Sequence, residues 1–87
     1  MTKIDNRMFN GEGRRLSSQV SKSMRKYFKE LEGEKAKDLY SMVLKEVELP
    51  LLQIVMEQCK DNQTQASQIL GLNRGTLRNK LKEYKLL

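Results

Sequence analysis

Residues 62–84 read NQTQASQILGLNRGTLRNKLKEY. Two short apolar ladders stand on either side of Gly71-Leu72-Asn73. In the first, Asn62 offers an N-cap, and Gln65 follows at the spacing of a capping box. Ala66, Ile69 and Leu70 supply its apolar side. Gly71 ends it at a position where a positive φ costs little. Leu72 plugs the turn and Asn73 caps the next helix. There Leu77, Leu81 and Tyr84 recur at i, i+4 and i+7 and turn inward. Two short helices joined by a glycine turn of this length predict a helix-turn-helix. Small Ala66 and Ser67 let the two cross closely.

The other side of the second helix carries the chemistry. At about 100° per residue, Gly75, Asn79 and Lys82 point away from the apolar face. Arg74 and Arg78 flank one side, Thr76 and Lys80 the other, and no acid appears until Glu83. Arg offers a bidentate fork to guanine, Asn can serve adenine, and Thr and Lys suit phosphate oxygens. Gly75 lets backbone approach a groove, and the helix N-terminus favours a phosphate. A positive face can also be merely solvated. Asn, Thr, Gly and Arg are poor choices for a plain exposed helix, which favours the nucleic-acid reading.

Upstream, Leu16, Val20, Met24, Phe28 and Leu31 recur on one face of a helical period. Ser17 or Ser18 is expected to cap that helix and Gly33 to end it. A further helix is expected from Asp38, with Leu39, Met42, Val43, Val47, Leu51, Ile54 and Val55 as a broad apolar stripe ending near Cys59. Pro50 lies inside this stripe. The register continues past it without a turn residue, which predicts one kinked helix rather than two. Residues 1–15 read as a flexible arm, with a short β-hairpin as the alternative. The expected organisation is all-α, with four helices: an arm at 1–15, dimerisation helices at 16–60 and a helix-turn-helix at 61–87.

Composition narrows the function. The chain has 87 residues, 38% of them hydrophobic and 6% aromatic, without Trp. A core that thin is remedied if helices share it with a second chain; a compact monomeric four-helix bundle is the alternative. The net charge is +6 and the pI about 9.6, which favours a polyanionic partner. Residues 14–29 carry net +6, residues 30–57 net −4 and residues 58–87 net +4. Catalysis has little to work with. His is absent, Cys59 stands alone, and there is no phosphate-cradling glycine motif. No enzyme activity, cofactor or metal is expected. No apolar run reaches transmembrane length, and no signal peptide or lipidation motif is evident. The lone cysteine and the lack of an export signal point to a reducing cytoplasm.

The segment NQTQASQILGLNRGTLRNKLKEY resembles the C-terminal helix-turn-helix of the Fis family of bacterial nucleoid proteins. The likeness extends through DLYSMVLKEVELPLL, including Pro50, and more loosely to VSKSMRKYFKELEG. The helix-turn-helix alone also resembles the output domain of activators that work with the alternative sigma factor for nitrogen control. The resemblance to Fis implies an intertwined homodimer whose paired recognition helices lie closer than one DNA turn, so that bound duplex DNA bends. It implies a regulator of transcription located at the nucleoid, with RNA polymerase or a recombinase as possible further partners and no membrane. It implies base contacts from Asn73 and Arg74, and backbone contacts from Asn62, Thr64, Thr76, Arg78 and Lys80. Gln65, Asn79 and Lys82 are additional candidates. At Gln65 and Asn79 the family pattern has basic residues, and its N-terminal arm is longer. A third reading uses the basic segment at 14–29 to bind membrane or RNA, with Val20, Met24 and Phe28 entering lipid.

Overall fold

The computed structural model describes residues 15–87. Four helices supply their regular structure, and no strand occurs among them: α1 Leu16–Glu30, α2 Leu39–Gln58, α3 Gln63–Leu70 and α4 Arg74–Glu83. The all-α fold with a C-terminal helix-turn-helix is as expected. The arm expected at the N-terminus lies outside the described residues, apart from Arg15. The chain divides into two compact units between Lys37 and Asp38.

The first unit contains α1. Its N-cap is Arg15, in extended conformation, and no side chain caps it. Ser17 and Ser18 already lie inside the first turn. A capping side chain must sit outside the helix to reach back to its free N–H groups, so neither serine plays that part. At the other end the Leu31 N–H returns to the Tyr27 carbonyl at 3.1 Å. The backbone turns left-handed at Glu32 (φ 51°), one residue before Gly33 (φ 89°). No α1 residue is buried. Its apolar side ends in Phe28, 53% exposed, with the Tyr27 ring edge-on to it at 5.6 Å.

The second unit is built on α2. Asp38 stands at its N-cap as expected, but in left-handed conformation (φ 54°), and its carboxylate caps nothing. The helix runs through Pro50 without interruption. Proline removes one N–H, so the Glu46 carbonyl loses its usual i+4 donor; the register is kept nonetheless.

The core of this unit is Leu52, Met56 and Cys59 from the C-terminal half of α2 and its cap, with Ala66 from α3 and Leu77 and Leu81 from α4. Val55, Leu70, Tyr84 and Leu86 pack around it. The stripe expected on α2 is a different face. At about 100° per residue, Val43, Val47, Leu51 and Ile54 lie well over a quarter-turn from the line of Leu52, Met56 and Cys59. Leu51 and Ile54 stay 45% and 53% exposed. A helix apolar on both sides needs a second partner for the outer one.

Candidate nucleic-acid interface

The two short helices are fixed by backbone chemistry before any tertiary packing. The Asn62 side-chain oxygen accepts from the Gln65 N–H at 3.1 Å, which satisfies one of the free donors of α3. The reciprocal half of a capping box is replaced: the Asn62 N–H donates to the Cys59 carbonyl at 3.0 Å. At the far end Gly71 adopts φ 71°, ψ 30°. The Leu72 N–H then reaches back to the Ser67 carbonyl at 3.0 Å, the closing bond of a Schellman motif. Ser67 is itself buried, and its hydroxyl donates to the Thr64 carbonyl at 2.8 Å. Ala66, with no exposed surface, gives the close crossing its sequence suggested. Ile69 does not share its face and is 58% exposed.

The start of α4 is tighter still. The Asn73 Oδ1 accepts from the Gly75 N–H at 2.7 Å and the Thr76 N–H at 3.4 Å. A Cβ on residue 75 would stand 3.1 Å from that same oxygen. The missing side chain at Gly75 therefore gives the cap room, a role its sequence position did not disclose. The cap also changes what Asn73 can offer a base. Its oxygen is committed to backbone, so the side-chain NH2 remains, a donor only.

Leu77 and Leu81 anchor α4 with no exposed surface. Arg74, Gly75, Thr76, Arg78, Asn79 and Lys82 are all exposed. Asn62, Thr64 and Gln65 are exposed at the start of α3. The structure thus presents these expected residues at the surface of one compact unit. Lys80 differs. Its ammonium lies 2.7 Å from the Glu48 carboxylate of α2, with the two side chains 29% and 24% exposed. The other Glu48 oxygen accepts from the Tyr84 hydroxyl at 2.6 Å. One carboxylate thereby ties both ends of the last turn of α4 to α2.

The protonation equilibria reflect that geometry. Hydrogen bonds from Lys80 and then Tyr84 hold the Glu48 carboxyl below its usual value, against the opposing effect of burial. The same carboxylate raises the Lys80 ammonium. It pushes the Tyr84 hydroxyl up to about 12, first because the proton is held in the hydrogen bond to Glu48, then through burial and the repulsion a phenolate would meet there. Sequence reasoning passed over Glu48 as part of an acidic middle segment. Its one local signal is position: Leu52 stands four residues on and is core, so Glu48 lies on the face that meets α4.

Among the described residues no cluster of His, Cys, Asp and Glu could hold a metal ion. No helix among them is long and apolar enough to cross a membrane.

Known proteins are similar to this chain in sequence. The profile of the bacterial regulatory protein, Fis family, matches residues 43–84. A Fis-like DNA-binding protein of Pseudomonas aeruginosa is 58% identical over 76 residues, spanning 87% of this chain and 73% of its own. The DNA-binding protein Fis of Proteus mirabilis is 51% identical over 69 residues, spanning 79% of this chain and 70% of its own. That of Actinobacillus succinogenes is 52% identical over the same length. This chain belongs to the Fis family. The matched profile begins in α2 and takes in Glu48, both capping asparagines and Tyr84.

Proposed function

We propose that this Fis-family chain is a homodimeric, non-enzymatic DNA-binding protein that bends duplex DNA and regulates transcription at the bacterial nucleoid. The observation that carries the reading is the exposed side of α4. From Arg74 to Lys82 it presents Arg, Thr, Arg, Asn and Lys without an acid, on a helix locked by a side-chain cap at one end and by Glu48 at the other. Such a rigid, basic, donor-rich helix suits a major groove. Arg74 forks to guanine. Asn73 donates to a base acceptor such as a purine N7, because its own oxygen is occupied. Thr76 and Arg78, with Asn62 and Thr64 at the start of α3, hold phosphates, and Gln65, Asn79 and Lys82 lie within the same surface. Lys80 serves a phosphate only by leaving Glu48.

Dimerisation is supported by the unused apolar surface. Phe28 of α1 and Met42, Leu44, Leu51 and Ile54 of α2 are each at least 41% exposed. Those helices, residues 16–60, form the dimer in this reading, and two copies of α4 then face one duplex. Relatives matched over 70% or more of their own length favour a Fis protein over the output domain of a much longer activator. Methylation of guanine N7 tests the groove assignment. Interference at guanines in two half-sites is expected, and binding indifferent to major-groove methylation would overturn it. Light scattering gives the assembly directly: twice 10.2 kDa is expected, and a persistent monomer at micromolar concentration would overturn the dimer.

A further inference from the structure

The charge of α1 is segregated from its apolar residues. At about 100° per residue, Val20, Met24, Phe28 and Leu31 gather on one side. Arg15, Lys22, Arg25, Lys26 and Lys29 gather on the side diametrically opposite, and all five are exposed. Among the described residues only Lys26 of this set has an acidic partner, Glu30 at 3.8 Å, and both of those side chains are largely in water. Cations at i, i+3 and i+4 repel along the helix: Lys22 faces Arg25 and Lys26, and Lys29 faces Arg25 and Lys26. A helix that only needs solubility mixes the two signs of charge. This one keeps a single sign from Arg15 to Lys29, with Glu30 at its edge as the one acid of the helix.

We propose that this side of α1 is a second, sequence-independent contact for the phosphates of duplex DNA, additional to α4. The inference rests on the DNA-binding reading of the second unit. Charge complementarity names the occupant. Arg15 to Lys29 spans about 21 Å of helix, and a duplex offers one phosphate per roughly 3.4 Å of each strand. The opposed arrangement argues against a lipid surface. An interfacial helix uses its apolar side and its cations on the same headgroup layer. Here a membrane that took Phe28 would leave Lys22, Arg25 and Lys29 pointing into water. The two sides instead suit two partners, protein on the apolar one and a polyanion on the other.

The phosphates can belong to flanks of the bound duplex or to a second duplex, and one variant distinguishes them. In the full chain, Lys22→Gln, Arg25→Gln and Lys29→Gln are changed together; Gln keeps nearly the helix propensity of Lys and Arg. Circular dichroism checks the fold, and the double variant Lys22→Gln, Lys29→Gln replaces the triple if helix is lost. Affinity is measured against salt on a duplex just covering the preferred site and on one extended at both ends. Capture of a labelled second duplex by bead-bound complex is measured alongside. On the short duplex the variant is expected to match the wild type within about twofold. If flanks are the source, its salt slope on the long duplex is shallower by about 0.9 per cation removed, roughly two to three per subunit for the triple variant. If a second duplex is the source, capture falls with the variant. Unchanged slope and unchanged capture, with both proteins bound to the preferred site, would overturn the inference. So would a variant whose only loss is flotation with anionic vesicles, since the cations would then serve lipid. A wild type that binds none of these duplexes would overturn the DNA-binding reading itself, and this inference with it.

Discussion

Replacing Glu48 with Gln keeps the shape of the side chain and removes its charge. In the wild type the carboxylate accepts from Lys80 at 2.7 Å and Tyr84 at 2.6 Å. These are short, charge-assisted bonds, but Lys80 and Glu48 remain 29% and 24% exposed, so solvent screens part of their value. Glu48→Gln is therefore expected to destabilise the fold by about 1 kcal/mol at neutral pH, a drop of about 4–8 °C in melting temperature for a domain this small. The pH dependence follows from the directions of the shifts. Glu48 titrates below its unfolded value of 4.5, so its contribution is present above that pH and is lost as pH falls through the lowered folded value. Lys80 is raised above 10.5, so its share is present below 10.5 and lost as pH rises through the raised value. Tyr84 is likewise favourable below 10.0 and loses its share as pH rises through about 12. Urea unfolding of wild type and variant should therefore differ most between pH 5 and 10 and converge towards acid. Ultraviolet titration gives a second readout. One of the three tyrosines should ionise near 12 in the wild type and move back towards 10.0 in Glu48→Gln. Freed Lys80 should also steepen the salt dependence of DNA binding, by up to about 0.9 per subunit. Equal stability of the two proteins at pH 7, or a wild type in which no tyrosine ionises near 12, would refute the reasoning.

Arg74→Ala should cost about 1–3 kcal/mol per half-site and relax base preference, whereas Arg78→Ala should weaken all sequences alike; affinities across a site library separate the two patterns. Gly75→Ala presses a Cβ towards the Asn73 oxygen. A weakened cap, worth about 1 kcal/mol, is offset by the similar helix preference of Ala over Gly, so stability should hold while specific affinity falls; thermal melts and gel shifts check both. Gln65→Arg with Asn79→Lys should steepen the salt slope of a dimer by roughly two to four, up to about 0.9 for each of four added cations. An unchanged slope on both a preferred and a random duplex would place neither residue near phosphate.

The helix-turn-helix was legible in the sequence because its determinants are local. Asn62, Gly71 and Asn73 act on backbone within three residues of themselves, and Leu77, Leu81 and Tyr84 declare one face by spacing alone. Elements set by distant contacts were not legible. The position of Glu48, about one turn before core Leu52, says nothing of Lys80, which stands 32 residues on. The wide apolar stripe on α2 suggests one face by sequence. The face that packs on α3 and α4 is instead Leu52, Met56 and Cys59, because a helix apolar around most of its circumference has no periodicity to choose between sides. Ser17 and Ser18 failed as caps for the opposite reason: residue type suggested a boundary that the backbone placed at Arg15. The part of Gly75 in the Asn73 cap depends on a 3.1 Å approach that exists only once the turn has folded.

A gel shift with circularly permuted duplexes, each carrying the preferred site at a different position, tests the central claim most directly, since it reads binding and bending together. Paired α4 helices on a bent duplex predict one dimer complex whose mobility is lowest with the site at the centre, and its loss in Arg74→Ala. A wild-type complex of the same mobility at every site position would contradict the bending. A complex that Arg74→Ala leaves intact on its preferred site would contradict the assignment of recognition to α4.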